Sequence, residues 1–507
     1  MHIKKINFLV LLVTIVCFTW IFLFSLVFDS SVYISQNKFI SLIVAFIILI
    51  IWFFAYKFLN NEVHYLTTKK EIIFLIIYFL IVLFLEAMVL MQLNVMPGWD
   101  YGVIFDNALK YATEGTRNNA VYIEYFQYFP NNILIFVLML ISIKLGNLIN
   151  INPIISIEIM NVCFINFSLI MLYLTIRKKF GVKNSIFSSI ISLFFLPIYL
   201  YSPIVYSDTL SLFIGISFIY LFLNIDDNKI NKKNTMIFIL VGTLMFLGKS
   251  LKVTSLIVLI ALIINLVLKT KIKNSIIYLL TMFLSFILLN SMFNVVIVNR
   301  NSFHFNVNDY GQIPYTHWIM MGVEDKDADN SERNTYGGYN VHDYDKTESF
   351  ATGKDAQKYN IKEYMNRVNK MGFVGYAEFL TKKSVNIWAD GYYFSNVKLG
   401  ISPINNNTIL RKFLLQDSTT KYFGIYFTQG VNFSFLIALI IGAVLKVKDK
   451  CEEVDYVRLA IIGIMIFLLF WEGRSRYLVN YIPIFIFIIV EFYNLIYIKL
   501  YRRKYEK

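Results

Sequence analysis

Residues 71–91 read EIIFLIIYFLIVLFLEAMVLM, a stretch whose only charged side chains are Glu71 and Glu86. A helix needs roughly 20 mostly apolar residues to cross about 30 Å of hydrocarbon. No glycine or proline interrupts this run. The stretch therefore predicts a helix that spans a membrane.

Similar stretches recur along almost the whole chain, which has 507 residues and a mean hydropathy of +0.60. The composition is 57% hydrophobic and only 16% charged, whereas an ordinary soluble domain has about 25% charged residues. These values exclude a soluble enzyme, a disordered chain and a disulfide scaffold. The candidate spans are 8–29, 38–59, 71–91, 131–149, 153–176, 185–204, 207–224, 235–249, 251–268, 274–298, 424–445, 457–472 and 477–498.

The net charge of +14 comes largely from basic loops between these stretches. Short cytoplasmic loops collect lysine and arginine, so the charge indicates orientation, and no nucleic-acid partner is expected. All basic loops face the cytoplasm if segment 131–149 does not cross the membrane fully, and we therefore expect it to be in-plane or re-entrant. The alternative is a true crossing of 131–149 with a second, hidden one near 92–130. The basic clusters are Lys4–Lys5, 57–70, 177–183, 229–233, 269–273, 446–450 and 499–507.

This reasoning predicts an all-α polytopic membrane protein with about twelve transmembrane helices, an in-plane or re-entrant segment and an α-rich extracytoplasmic cap. Both termini are expected in the cytoplasm, and the protein is expected in the plasma membrane. The organisation is 1–91, N-terminal transmembrane helices; 92–150, a large outer loop with the in-plane segment; 151–298, a transmembrane core; 299–423, the cap; and 424–507, C-terminal transmembrane helices.

Two aspartates stand beside predicted spans on the outer side, where polar residues of an apolar chain are costly and often functional. Asp100 follows Pro97 and Gly98, which break the third span. It could serve as a general base, bind a metal ion or merely cap the next helix. Asp208 opens the span at 207–224 and could be a second carboxylate of the same site or a helix cap. Asp106 follows Asp100 in the same loop.

Four cations lie on short outer turns, against the inside-positive bias. Lys249 and Lys252 mark one turn, and Arg474 and Arg476 follow Glu472 on another. Phosphate and carboxylate groups are the ligands that suit such side chains. The alternatives are snorkelling lysines and an arginine paired with Glu472 to hold the turn.

The polar segment 299–423 is nearly charge-balanced and predicts a folded cap with a helix around 355–390. Its histidine spacing matches no zinc pattern. His317 is therefore expected to form hydrogen bonds, and Trp318 to pack. The chain has no Gly-x-Gly-x-x-Gly, Walker or Gly-x-Ser-x-Gly motif, so nucleotide and serine hydrolysis have no support.

Taken together, these motifs resemble the glycosyltransferase-C superfamily over most of the chain. The cap resembles that of a Gram-positive membrane-protein subgroup related to protein O-mannosyltransferases and aminoarabinose transferases. Two departures are the extra spans before Asp100 and a single proline where the superfamily has two. The matching stretches are Gly98-Trp99-Asp100-Tyr101-Gly102, Tyr128-Phe129-Pro130-Asn131-Asn132, Ser207-Asp208-Thr209-Leu210, Phe246-Leu247-Gly248-Lys249-Ser250-Leu251-Lys252, Arg476-Tyr477-Leu478-Val479-Asn480-Tyr481-Ile482-Pro483 and, in the cap, 314–322 with 338–340.

The resemblance implies a polyprenyl-phosphate sugar as donor and, on the outer face, a cell-wall glycan, teichoic acid, lipid or protein as acceptor. It implies a base or orienting role for Asp100, and a second carboxylate or metal ligand in Asp208. Donor phosphate binding would fall to the four turn cations, and acceptor contacts to Asp106, His317, Trp318 and Glu472. A divalent cation held by Asp100 and Asp208 is compatible with this scheme; a nucleotide cofactor is not expected.

Two other functions fit the same topology. A transporter or flippase of lipid-linked glycans usually carries midplane charges and internal repeats, whereas here midplane charge is limited to Glu86 and Glu158 and no repeat is found. A glycan polymerase would give products of many lengths instead of single additions.

Overall fold

The computed structural model describes residues 2–28, 36–61, 67–114, 125–226, 230–299, 305, 313–324, 336–417, 419–447 and 454–505. Lys229, Lys448, Lys450 and Lys507 of the basic clusters lie outside the described residues. The helices of eight or more residues are α1 (His2–Val27), α2 (Lys38–Asn61), α3 (Thr68–Gln92), α4 (Trp99–Thr113), α5 (Ile133–Leu148), α6 (Pro153–Phe180), α7 (Val182–Phe194), α8 (Leu212–Phe222), α9 (Lys232–Leu251), α10 (Leu256–Lys269), α11 (Ile272–Phe293), α12 (Val341–Glu348), α13 (Gly353–Trp388), α14 (Lys421–Val447), α15 (Tyr456–Phe470) and α16 (Ile482–Tyr505).

Nine helical stretches in the described part of the chain are long and apolar enough to cross a membrane, and α3, which contains 71–91, is one of them. Four shorter apolar stretches accompany them, at Val182–Phe194, Ser207–Phe222, Val253–Lys269 and Tyr456–Phe470. The prediction of an all-α protein with many membrane helices is confirmed, and the number of crossings stays a prediction.

Some predicted spans are interrupted for local reasons. Segment 185–204 contains a break after Phe194, and a separate helix covers Leu196–Leu200. Pro197 has no backbone N–H, and its ring hinders continuation of the preceding helix. Likewise, Ser475–Tyr481 is a 3₁₀ helix that precedes α16, so only the later part of 477–498 is α-helical.

One end of the bundle, which we call the basic end, is held by ion pairs. Arg177, near the end of α6, places Nε 2.8 Å from Oε1 of Glu71 in the first turn of α3. Arg458 is fully buried and places Nη1 2.5 Å from Glu491 Oε2. The same cluster contains Lys446 and Asp455, and it links α14, α15 and α16.

At the opposite end lie 313–324 and 336–417, which make up most of the described part of segment 299–423 and which we call the cap. The last residue of α3, Gln92, receives hydrogen bonds from Thr408 and Leu410 of the cap. The helix predicted around 355–390 is α13, which is kinked at Gly372. Within the cap, the guanidinium of Arg367 contacts the carboxyl groups of Glu324, Asp343 and Glu363.

Helix α5, which covers most of segment 131–149, has both ends toward the cap. Asn132, just before it, donates a hydrogen bond to Tyr125, which itself contacts Asp100. The following helix, α6, starts at Pro153 and reaches the basic end at Arg177. The end of α5 therefore lies far from the basic end, as its start does.

Candidate functional site

The first part of the site is the start of α4. Pro97 and Gly98 separate α3 from α4, and Gly98 is the N-cap residue. Trp99 has φ of +47°, a conformation that is costly for a bulky residue and that occurs most often at functional sites. Asp100 follows in the first turn, where the helix dipole favours a negative charge.

Two tyrosines hold the Asp100 carboxylate. The hydroxyl of Tyr125 donates to Oδ1 at 3.0 Å, and that of Tyr206 donates to Oδ2 at 3.1 Å. Burial is the main cause that raises the pKa of both tyrosines well above 10. Neighbouring negative groups, including Asp100, raise it further. Both hydroxyls therefore keep their protons, and they orient the carboxylate as a hydrogen-bond acceptor. Asn132 supports Tyr125 with a 2.6 Å bond.

The second part is a buried ion pair between Asp208 and Lys252. Asp208 lies in the short helix Ser207–Leu210, and Lys252 lies in extended backbone between α9 and the turn Val253–Ser255. The two side chains are 3% and 7% exposed. The Lys252 ammonium also lies 5.0 Å from the centre of the Tyr477 ring. Because the pair is enclosed, each charge is neutralised by the other.

The third part is the turn that follows α15. The guanidinium of Arg476 lies over the rings of Trp99, Tyr206 and Tyr477, with centroid distances of 5.6, 5.8 and 5.2 Å. Its charge interacts with Asp208. Its Nε–H donates no hydrogen bond to any residue that the structure describes. Arg476 thus connects the surroundings of Asp100 with the Asp208–Lys252 pair.

Glu472 and Arg474 flank this arrangement. Glu472 accepts a 2.8 Å hydrogen bond from the Tyr477 hydroxyl, and its Oε1 lies 3.7 Å from Nε of Arg474. The guanidinium of Arg474 packs 5.0 Å from the centre of the Phe394 ring, which belongs to the cap. Both are nearly buried, at 5% and 6% exposure. The pairing of Arg474 with Glu472 is the alternative that the sequence left open, whereas Arg476 is half-buried and lies among the aromatic rings around Asp100.

Lys383 of the cap contributes contacts that sequence reasoning missed. Its ammonium donates to the carbonyls of Gly322, Leu469 and Trp471 at 2.7, 3.0 and 2.7 Å. Lys383 is completely buried. In the sequence, Lys382-Lys383 looks like part of a solvated face, and no local signal separates the two.

Two further cap residues were also missed. Asp390 accepts a 2.6 Å hydrogen bond from Ser475 and so fixes the turn that carries Arg476. Lys398 lies 3.6 Å from the centre of the Trp99 ring, which is contacted by Arg476 as well. The acid in Ala389-Asp390-Gly391, which follows directly on a predicted helix, was a signal that could have found Asp390.

Some predicted site residues lie elsewhere. Lys249 is exposed and donates to Asn290 at 3.0 Å, so the structure brings Lys252, and not Lys249, to the Asp208 carboxylate. Asp106 is exposed on α4. His317 bonds through Nδ1 to Thr347 at 2.8 Å, and burial lowers its pKa to about 4, so it is neutral.

Trp318 joins the cap to the turn. Its ring stacks on Trp471 at 5.6 Å, and its carbonyl accepts a 2.8 Å hydrogen bond from the Glu472 backbone. Among the described residues, no group of three or more His, Cys, Asp or Glu side chains is arranged to hold a metal ion. Asp100 and Asp208 have the hydroxyl and ammonium partners given above.

Comparison with known proteins gives one match. No curated protein and no solved structure matches the chain. A family model described as "Conserved hypothetical integral membrane protein" matches residues 1–494. That range includes every helix that carries the site. The chain therefore belongs to this family of conserved integral membrane proteins.

Proposed function

We propose that the protein is a membrane glycosyltransferase that moves a sugar from a polyprenyl-phosphate donor to a cell-envelope acceptor. One observation carries the proposal: at one end of the bundle, the Asp100 carboxylate is held by two tyrosines and lies in one cluster with the half-buried Arg476 and the buried Lys252. A hydroxyl acceptor needs such a base, and a phosphate leaving group needs such cations.

In the proposed reaction, the Asp100 carboxylate accepts the proton of the acceptor hydroxyl. The acceptor oxygen bonds to the anomeric carbon of the sugar as the bond between that carbon and the phosphate oxygen breaks. The electron pair leaves with the polyprenyl phosphate. Because the acceptor attacks from the face opposite the phosphate, the anomeric configuration is inverted. The acceptor and the phosphate therefore occupy separate positions on the two faces of the sugar.

Arg476 and Lys252 are the groups proposed to bind the departing phosphate. Arg476 has an Nε–H without a hydrogen-bond partner in the described chain, and a guanidinium suits phosphate oxygens. Lys252 is neutralised by Asp208, so an entering phosphate competes with Asp208 for the ammonium. Asp208 then serves to hold Lys252 in position, and Arg474 and Glu472 support the turn.

We further infer that the chain crosses the membrane twelve times, with both termini in the cytoplasm of a plasma-membrane protein and the site facing outward. The count follows if α5 does not cross, which the contacts at its two ends support. It also needs all four shorter stretches to cross, and one of them, Ser207–Phe222, starts at the site. The basic end then faces the cytoplasm.

The test is transfer from a labelled polyprenyl-phosphate sugar, offered as a panel to membranes that contain the protein. Asp100→Asn keeps the size of the side chain but removes the base. We expect at least a hundredfold loss of transfer, since general bases contribute about 10²–10⁴-fold. Glu114→Gln, at the exposed end of the same helix, is the matched control and should retain activity.

Undiminished transfer by Asp100→Asn would refute the assignment of the base. Movement of the lipid-linked sugar across vesicles without any transfer product would favour a flippase, and a ladder of product lengths would indicate a polymerase.

A further inference from the structure

The kink in α13 exposes an apolar tip. Gly372 has φ of +65°, in the left-handed region that glycine tolerates best. It divides α13 into a first arm, 353–371, and a second arm, 373–388. Directly after the kink, Phe373 is 91% exposed and Val374 is 77% exposed. Adjacent large apolar side chains that protrude this far are unusual unless something covers them.

The second arm has its last residues in the interior of the bundle and its first residues at the exposed tip. At its inner end, Trp388 is 2% exposed and packs edge-on against Phe18 of α1, with ring centroids 4.9 Å apart. Seven residues earlier, the Thr381 hydroxyl accepts a 3.2 Å hydrogen bond from the indole of Trp20. Phe373 lies eight residues earlier again.

Trp20 belongs to the exposed face of α1, at 52% exposure. In an integral membrane protein, an apolar stripe along a spanning helix faces lipid, and Trp is the residue enriched where such helices meet the membrane surface. The second arm therefore meets α1 on its lipid-facing side. Other members of the stripe are Phe8, Leu12, Val16, Leu23 and Val27.

The contacts also give the direction of the arm. Thr381 and Trp388 are about 10 Å apart along the arm, whereas their partners Trp20 and Phe18 are only about 3 Å apart along α1. Next to Thr381, the Lys382 ammonium lies 5.6 Å from the centre of the Phe28 ring, just past the end of α1. The arm is therefore inclined to α1 and leaves it near its end on the cap side. If α1 spans the membrane, the arm leaves α1 within the leaflet on that side, and the tip projects about 12 Å beyond Thr381.

The depth of this contact follows from the same residues. Trp20 is seven positions before the end of α1 at Val27, which places it about 10 Å inside that end. Amphipathic helices that lie in a membrane surface bury their apolar side about 5–10 Å into the headgroup boundary. The charged pair on the arm, Glu378 and Lys382, is internally neutralised by an ion pair.

We propose that residues 371–375 form a membrane-inserting tip, with Phe373 and Val374 buried among the lipids of the leaflet on the cap side. The cap is then attached to the bilayer directly as well as through the bundle. This inference concerns contact with lipid and does not depend on the proposed transfer reaction.

The test uses single cysteines in a background in which Cys17, Cys163 and Cys451 are replaced by serine. Phe373→Cys is labelled with an environment-sensitive fluorophore, and the protein is reconstituted into phosphatidylcholine vesicles with or without brominated acyl chains. We expect blue-shifted emission and strong quenching by the brominated lipid. Val374→Cys provides a second position with the same expectation.

Lys358→Cys is the control, because its side chain is 80% exposed on the first arm. It should show emission typical of water and no quenching. Water-like emission and no quenching at 373 and 374 would overturn the proposal. Blue-shifted emission without quenching would overturn it too, since it would indicate that protein, and not lipid, covers the tip.

Discussion

Buried lysines do two different things in this molecule, and their partners distinguish them. Lys252 faces a carboxylate, Asp208, with which the donor phosphate would compete in the proposed reaction. The ammonium of Lys383 donates hydrogen bonds to three backbone carbonyl groups, which are uncharged. A lysine in the second position cannot give up its contacts without leaving carbonyl groups buried and unsatisfied. Lys383 is therefore a structural clamp between cap and bundle.

Replacing Lys383 should destabilise the attachment of the cap. Lys383→Met keeps the length of the side chain but removes all three hydrogen bonds, and relief of a buried charge offsets part of the loss. We expect a cost of about 3 kcal/mol, measured by thermal unfolding in detergent. Lys382→Met, one residue earlier, removes a partly exposed ion pair and cation–π contacts with Phe28 and Tyr336, and should cost only about 1 kcal/mol. Equal effects of the two substitutions would contradict the clamp.

At the scale of elements, the cap is organised around one arginine on α13. Arg367 bonds to Glu324 at 2.6 Å and to Asp343 at 2.6 Å. Two buried acids near each other cannot both ionise without cost. Burial chiefly raises the pKa of Glu324 to about 8, while hydrogen bonds from Arg367 and Glu324 lower the pKa of Asp343 against the effect of burial. Glu324 is thus protonated at neutral pH in the folded cap.

This proton makes cap stability depend on pH. The pKa of Glu324 is about 8 in the fold against 4.5 for the free side chain, so its contribution is complete below about pH 4.5 and is lost as pH rises to about 8. The loss amounts to at most about 5 kcal/mol, since each pKa unit corresponds to about 1.4 kcal/mol. Hydrogen exchange of the cap, corrected for intrinsic rates, should show protection falling over this range.

The informative quantity is the difference between the wild type and Glu324→Gln, which mimics the protonated acid. Burial lowers the pKa of Lys383 to about 7, an effect of opposite sign that is common to both proteins and cancels. Glu363 and His317 also face this cluster, and both residues are present in the wild type and in Glu324→Gln. If the two proteins had parallel pH profiles, Glu324 would not be the titrating group.

The helices were predictable because period and length dominate in an apolar chain, and α13 was predicted to within two residues at each end. The interruptions of the helices were harder to predict. The break near Pro197 has a sequence signal, but the 3₁₀ segment before α16 has a tertiary contact, the hydrogen bond from the Tyr481 hydroxyl to the carbonyl of Thr254, which the local sequence does not show. In the site, Asp100 and Asp208 were found from their position beside spans. Lys383 was missed because its neighbours are distant in sequence.

At the scale of the whole molecule, the candidate site and the basic end lie at opposite ends of the same helices. The stretch Ser207–Phe222 begins at Asp208, and α9 returns from Lys232 to Lys252, its partner. The loop between them therefore lies away from the site. At this end, Asp226 forms an ion pair with Lys233 of α9.

This arrangement predicts opposite accessibility of two positions. With all natural cysteines removed, Lys358→Cys in the cap should react with an impermeant reagent added to intact cells, because the proposed orientation places the cap at the outward end. Lys233→Cys should react only after permeabilisation. Labelling of both from outside would refute the orientation, and with it the outward-facing site.

The junction between the cap and the turn after α15 has a mechanical consequence. The backbone of Glu472 bonds to Trp318, that of Gly473 bonds to Gly337, and Lys383 binds the carbonyl of Trp471. These links connect the cap to the segment that carries Arg476. An opening of the cap must break them together or pull Arg476 away from Trp99. In the proposed reaction, entry of the acceptor and release of the leaving group would then be coupled through movement of this junction.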